Sequence, residues 1–283
     1  MIITPLSSAC AAEIKELDLS QKLAQKAIRQ IEQAWHEHLV VVIRNQNLSP
    51  EMQMTFAGQF GSLGERGRPT NRRKEVDDYD GIIMLVTNKR NSEGNFIGTI
   101  PEGELWFHSD VSYQEIPHKA TLLHAIELPT TGGNTMFANM YTAFENIPEN
   151  LKTLLNGRRA LHAYDFAMSE RVNIKGGLES IQHCWQPIFI QHPDTGRTAL
   201  YVSRLMTAAI EGLSQSENDE VLSELFEISE DPNIIYEHVW QQGDLLMTDN
   251  RCCIHARHDF PHDQVRLLRR CTIKGEQSLI AAA

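Results

Sequence analysis

Between residues 21 and 37, QKLAQKAIRQIEQAWHE places Leu23, Ala27, Ile31 and Trp35 four apart. That spacing predicts an amphipathic helix. The run LVVVI at 39–43 is unbroken and short, as in a buried strand. SPEMQMTFAGQFG follows, with Ser49 placed to cap a helix, Pro50 at its first position and Gly61 just past its end. Two more helices are expected, one at 148–156 stopped by Gly157 and one at about 217–228 with Ser214 or Ser216 as its cap.

The remaining apolar runs are short and rich in β-branched and aromatic residues. They are GIIMLVT, ATLLHAIEL, NTMFAN, WQPIFIQH, ALYVS, IIYEHVW, GDLLMTD and VRLLRRCTI. Turn signals such as TTGGN, HPDTGR and QQGD separate them. Strands do not alternate regularly with helices, which disfavours a doubly wound sheet. The pattern predicts a mainly β chain with peripheral helices around a double-stranded β-helix, or jelly-roll, core. No repeat, low-complexity tract or linker divides the sequence, so 1–283 reads as one domain.

Composition narrows the classes. The 283 residues are 41% hydrophobic and 22% charged, ordinary for a globular protein. A net charge of −11 argues against nucleic acid or an anionic membrane as the main partner. There is no signal-peptide pattern and no membrane-length apolar run. Five cysteines without CxxC spacing suggest neither a disulfide framework nor structural zinc. The expected setting is cytoplasmic, and the expected assembly a homo-oligomer.

The candidate chemistry begins at ELWFHSDVSYQE. In an extended strand His108 and Asp110 would point to one face. Such a pair can ligate a metal, form an ordinary hydrogen bond, or mean nothing. A second copy, His192–Asp194, lies in QHPDTGR and reads as a hairpin turn. GDLLMTDNRCCIHARHDF then adds His255. Two histidines and a carboxylate are the ligand set of non-haem Fe(II) oxygenases, and His108, Asp110 and His255 can supply it. In the strand VRLLRRCTI, Arg266 and Arg270 share a face with Leu268 and Thr272. Buried among apolar residues, they want anions. Internal salt bridges would serve as well as ligands.

WFHSD, ELPTTGGNTMFANM, GDLLMTDNRCCIHARHDF and RRCTIKG, in this order over nearly the whole chain, resemble one family. It is the taurine dioxygenase / chlorophenoxyacetate dioxygenase family of Fe(II)- and 2-oxoglutarate-dependent oxygenases. The resemblance implies that His108, Asp110 and His255 hold Fe(II). It implies that Thr135 and Arg266 hold the distal carboxylate of the cosubstrate 2-oxoglutarate, and that Arg270 pairs with a small anionic organic substrate. The implied reaction consumes O2 and 2-oxoglutarate, releases succinate and CO2, and hydroxylates the substrate, with bond cleavage where a leaving group shares the new alcohol carbon. Halogenation is disfavoured because Asp110 is a carboxylate.

Glu104 stands near where taurine-specific members place an amide, and is taken as a substrate-binding position that disfavours taurine. The basic stretch Arg66, Arg68, Arg72, Arg73 and Lys74 could draw in an anion, although a solvated loop is the commoner reading. Cys253, on the His255 face, could lie near the metal. Trp106, Trp240, His124, His162, His183 and His238 read as packing or ordinary structural residues. Two rivals use the same His2Asp residues: a zinc hydrolase, and a jelly-roll binding protein without catalysis. Neither accounts for all of Thr135, Arg266 and the three ligands together.

Overall fold

The structure is a computed structural model that describes residues 1–67, 79–99, 102–166, 170–174, 177–179 and 181–282. Strands dominate it. The largest sheet runs in the order Ile2–Pro5, Ala12–Lys15, Val40–Ile43, Leu245–Asp249, Ala120–Glu127, Leu267–Ile273 and Leu63–Gly64, and Met84–Thr87 also pairs with Leu267–Ile273. A second, four-stranded sheet runs Ile235–His238, Thr135–Asn139, Cys253–Arg257 and Leu105–His108. Neighbours far apart in sequence pair antiparallel in both sheets, as in a jelly roll.

The continuous apolar runs now have a cause. Both faces of the large sheet are covered. Val40, Val42, Leu123, Leu246 and Leu268 face the core shared with the second sheet, together with Phe137, Ile254 and Ala256. Val41, Ile43, Leu122, Leu245, Met247 and Ile273 face outward, against Ile28, Ile31, Trp35 and Phe56. Those last four residues come from helices Gln25–His38 and Pro50–Ala57. A strand buried on both faces shows no polar alternation. Arg269 lies on this outer face, where Nε donates to Gln53 Oε1 at 2.7 Å.

The helices largely follow the sequence pattern. Ser49 caps Pro50–Ala57, Glu149–Leu155 falls where expected, and Gln215–Ser229 opens on a capping box from Ser214 to Glu217. Some expectations need correction. The first helix starts at Gln25 rather than 21, and the second ends at Ala57, four residues before Gly61. Helix Met140–Asn146 was unforeseen; it starts directly from a strand because the Asn139 side chain accepts from the amides of Tyr141 and Thr142. WQPIFIQH divides into Gln182–Pro187 and Phe189–Gln191, since Pro187 has no N–H to continue a ladder. Strands Arg159–Tyr164 and Thr207–Ile210 carry alanines of low β-propensity and escape a propensity reading. Among the described residues no helix is long and apolar enough to cross a membrane.

Candidate active site

The second sheet brings His108 and His255 together. Strands Leu105–His108 and Cys253–Arg257 are neighbours, and the two histidines are direct antiparallel partners. Their ring centroids are 4.2 Å apart. Asp110 is not in the strand, contrary to the extended reading of HSD. The strand ends at His108, Asp110 lies in the following turn, and Val111 takes the left-handed φ of 62°. The turn still brings Asp110 Oδ1 to 3.9 Å from His108 Nε2.

These side chains are in the protonation states a cation needs. Burial pushes both imidazoles down, His255 to about 3, so they are neutral at pH 7. His108 Nδ1 faces the Trp106 carbonyl at 2.8 Å, which places its proton there and leaves Nε2 as a lone pair toward Asp110. Burial would raise the Asp110 carboxyl. The Arg270 guanidinium, then His255, His108 and the Thr121 hydroxyl, outweigh it and hold the group well below the usual carboxylate range. Donor atoms of the three residues all lie within 4.8 Å of one another. Two neutral imidazoles and one ionised carboxylate suit a divalent first-row metal.

A pocket between the two sheets starts at these residues and runs to Arg266. It is lined by His108, Asp110, Thr135, His255, Arg257 and Arg266, among others. Arg266 is buried and has no carboxylate partner among the described residues. Its Nε donates to the Gly133 carbonyl at 3.0 Å. Burial, with Arg257 nearby, pushes its guanidinium down to about 9. A buried guanidinium without a carboxylate beside it is one that an anion would stabilise. The GGNT motif makes the space. Gly133 has φ +67°, and a Cβ there would lie 2.9 Å from Arg266 Cδ and Nε. Thr135 Oγ1 accepts from Trp240 Nε1 at 3.0 Å, which leaves its own proton to donate.

A second pocket meets the first at Met84, Leu105, His108, Asp110 and Arg270. Tyr113, Tyr164 and Phe166 form one wall, in mutual ring contact at 5.0–5.7 Å. Val111, Leu205 and Met206 complete the apolar lining. Arg270 Nη2 pairs with Asp110 Oδ2 at 2.8 Å, so this arginine is in part an internal ion pair. Among the described residues its other contacts are poor: Nη1 reaches only the Met84 sulfur at 3.5 Å, and Nε is buried without a partner.

Other expectations fare differently. Glu104 is exposed and lines neither pocket, so the structure does not bring it to the site. The bulge between His255 and Arg257 shifts its strand, and Leu105 lines the pocket instead. Cys253 is buried in the core and lines neither pocket. His192 is the hairpin residue expected: its Nδ1 accepts from the amides of Asp194 and Thr195. Arg68, Arg72, Arg73 and Lys74 lie outside the described residues; Arg66 lines the second pocket. Trp240, Thr121, Asn250 and Arg257 were not singled out for roles here. The DNR motif adjoining His255 was the available signal for Asn250.

Residues 2–272 match the family model of taurine catabolism dioxygenase TauD, TfdA family. The 2,4-dichlorophenoxyacetate dioxygenase of Cupriavidus pinatubonensis is 30% identical over 288 residues, covering 96% of this chain and 97% of its own. A taurine dioxygenase structure from Burkholderia xenovorans superposes with a TM-score of 0.81 at 25% identity, covering 100% of this chain and 95% of that one. AAD-2 in complex with Mn(II) and N-oxalylglycine gives 0.77 at 25% identity, covering 99% of both. The chain belongs to the TauD/TfdA family. It is an Fe(II)- and 2-oxoglutarate-dependent dioxygenase with a jelly-roll core.

Proposed function

We propose that the enzyme oxidises a small organic anion whose body is uncharged, apolar and about the size of a ring. In this reading His108, Asp110 and His255 hold the iron, Thr135 and Arg266 hold the distal carboxylate of 2-oxoglutarate, and Arg270 receives the substrate's anionic group. The observation that carries it is the pair of pockets meeting at His108, Asp110 and Arg270, one ending at a buried arginine and the other walled by three aromatic rings.

Iron, 2-oxoglutarate and O2 together supply the oxidation, in which the cosubstrate becomes succinate and CO2 and one oxygen atom enters a substrate C–H bond. The protein's residues do the rest. Arg266 and Thr135 fix the cosubstrate by its far end. Tyr113, Tyr164 and Phe166 exclude water and orient the substrate body. Among the described residues Arg270 has spare donors facing only a thioether, a weak acceptor, so a carboxylate or sulfonate improves on what it has. Asp110 is the sole carboxylate among the described residues lining the substrate pocket, and it is committed to the metal triad. A substrate ammonium therefore finds no free carboxylate there among the described residues. The Cupriavidus relative is named for an aromatic ring on a carboxylate arm, which is the same chemistry.

A panel of aryloxyalkanoates, arylsulfonates, alkyl sulfates and aminoalkanesulfonates, read by substrate-stimulated O2 uptake, tests this. Ring-bearing anions should be used best. Their amino-substituted counterparts should lose roughly 100-fold or more in kcat/KM, because a buried unpaired ammonium costs several kcal/mol. Arg270→Ala should raise the substrate KM at least about tenfold and waste 2-oxoglutarate, with the 2-oxoglutarate KM nearly unchanged. A zwitterionic or neutral compound as the best substrate would defeat the proposal.

A further inference from the structure

Asp110 sits in a turn, so its backbone does not decide how its carboxylate meets a metal. The choice matters by counting. A six-coordinate ion bound by two imidazoles, one carboxylate oxygen and a chelating keto acid keeps one position open. If both oxygens of Asp110 bound, that position would be filled and O2 would have none.

The surroundings treat the two oxygens differently. Oδ2 accepts from the Thr121 hydroxyl and from Arg270 Nη2 at 2.8 Å. Oδ1 has no hydrogen bond among the described residues and lies on the His108 side. Thr121 is fully buried, in an interior strand of the large sheet between Thr248 and Thr272. Its single hydroxyl proton could point several ways. Asn250 settles the direction: its Nδ2 donates to Thr121 Oγ1 at 3.0 Å, which occupies the acceptor side and turns the proton toward Asp110.

Asn250 grips the same turn a second time. Its carbonyl accepts from the hydroxyl of Ser109, the residue between His108 and Asp110, at 2.6 Å. The DNR motif delivers it there. Arg251 folds back onto Asp249 through Nε at 2.9 Å and Nη2 at 2.6 Å, making the tight turn that aims Asn250 inward. Among the described residues Asn250 Oδ1 is left buried without a partner. Such an orphan is costly and calls for an explanation, and using Nδ2 on Thr121 provides one.

We infer that Asn250 and Thr121 are positioning residues that hold Asp110 by Oδ2, so that it presents Oδ1 alone to the metal and keeps a coordination position free. The inference rests on the proposed metal-ligand roles of His108, Asp110 and His255.

The test titrates metal-free protein with Co(II), recording affinity, visible spectrum and the melting temperature before metal is added. Wild type should bind one equivalent, and His108→Ala should lose that binding. Thr121→Val keeps the shape without the donor, and Asn250→Asp reverses the polarity at Thr121. Both should bind roughly 10- to 100-fold more weakly, the usual effect of removing such a partner, with an altered spectrum. Thr121→Ser, which keeps the hydroxyl, should restore affinity and spectrum. Should Thr121→Val fail to fold, Asn250→Asp carries the same decision. Wild-type affinity and spectrum in the folded donor-less variants, or no rescue by serine, would overturn the inference while His108→Ala still failed to bind. Wild-type Co(II) binding by His108→Ala would instead overturn the ligand assignment beneath it.

Discussion

His108→Ala, Asp110→Ala and His255→Ala are each expected to abolish succinate formation and to lose most bound Fe(II). The three donors come from two elements, and any two of them leave an ion open to solvent on one side. The variants should differ in stability. The two imidazoles are neutral and line a pocket, so trimming either leaves no charge behind. Asp110→Ala strands the Arg270 guanidinium, which pairs with Asp110 at 2.8 Å and has no other anionic partner among the described residues. Breaking a buried pair typically costs ~3–5 kcal/mol, so Asp110→Ala should melt well below both histidine variants. Metal content, succinate release and thermal melts check all three together. Wild-type-like turnover in any one would remove that residue from the metal site.

Arg266→Ala should raise the KM for 2-oxoglutarate at least about tenfold. Losing one partner of a buried charged hydrogen bond costs ~2–5 kcal/mol, and each ~1.4 kcal/mol is a factor of ten. A structural arginine would behave differently. Without cosubstrate, Arg266 is a buried cation opposed by burial and by Arg257, so removing its charge should not destabilise the free protein. Arg266→Met, of similar length, should melt at or above the wild-type temperature. 2-Oxoglutarate should raise the melting temperature of wild type by binding the native state and leave that of the methionine variant nearly unmoved. An unchanged KM in Arg266→Ala, or equal thermal response to 2-oxoglutarate in both proteins, would take Arg266 out of this role.

Much of this site is legible in the sequence because its residues are chemically conspicuous. Two arginines four apart in an apolar run announce buried charge; Arg266 proves to lie just before strand Leu267–Ile273 rather than in it, yet Arg266, Leu268 and Arg270 do line one pocket. GGNT announces a backbone that only glycine allows, and Gly133 proves to be what Arg266 lies against. Less legible is whatever depends on a turn or bulge. The extended reading of HSD fails because the strand ends at His108 and the chain enters a turn that includes the left-handed Val111, and the register shift near Leu105 leaves Glu104 outside the pockets. Thr121 looks like one of many β-branched strand residues until the fold sets it between Asn250 and Asp110. The aromatic wall joins residue 113 to residues 164 and 166 of a distant segment, and no local pattern links the two segments.

The most direct test is a crystal structure of the protein with Mn(II) and N-oxalylglycine, an unreactive stand-in for 2-oxoglutarate. The account predicts one Mn(II) bonded to His108, His255 and a single Asp110 oxygen, Oδ1. The distal carboxylate of the analogue should lie on Arg266 and Thr135, and Arg270 should face the empty aromatic pocket. A metal bound elsewhere, or the analogue's distal carboxylate seated on Arg270, would contradict it.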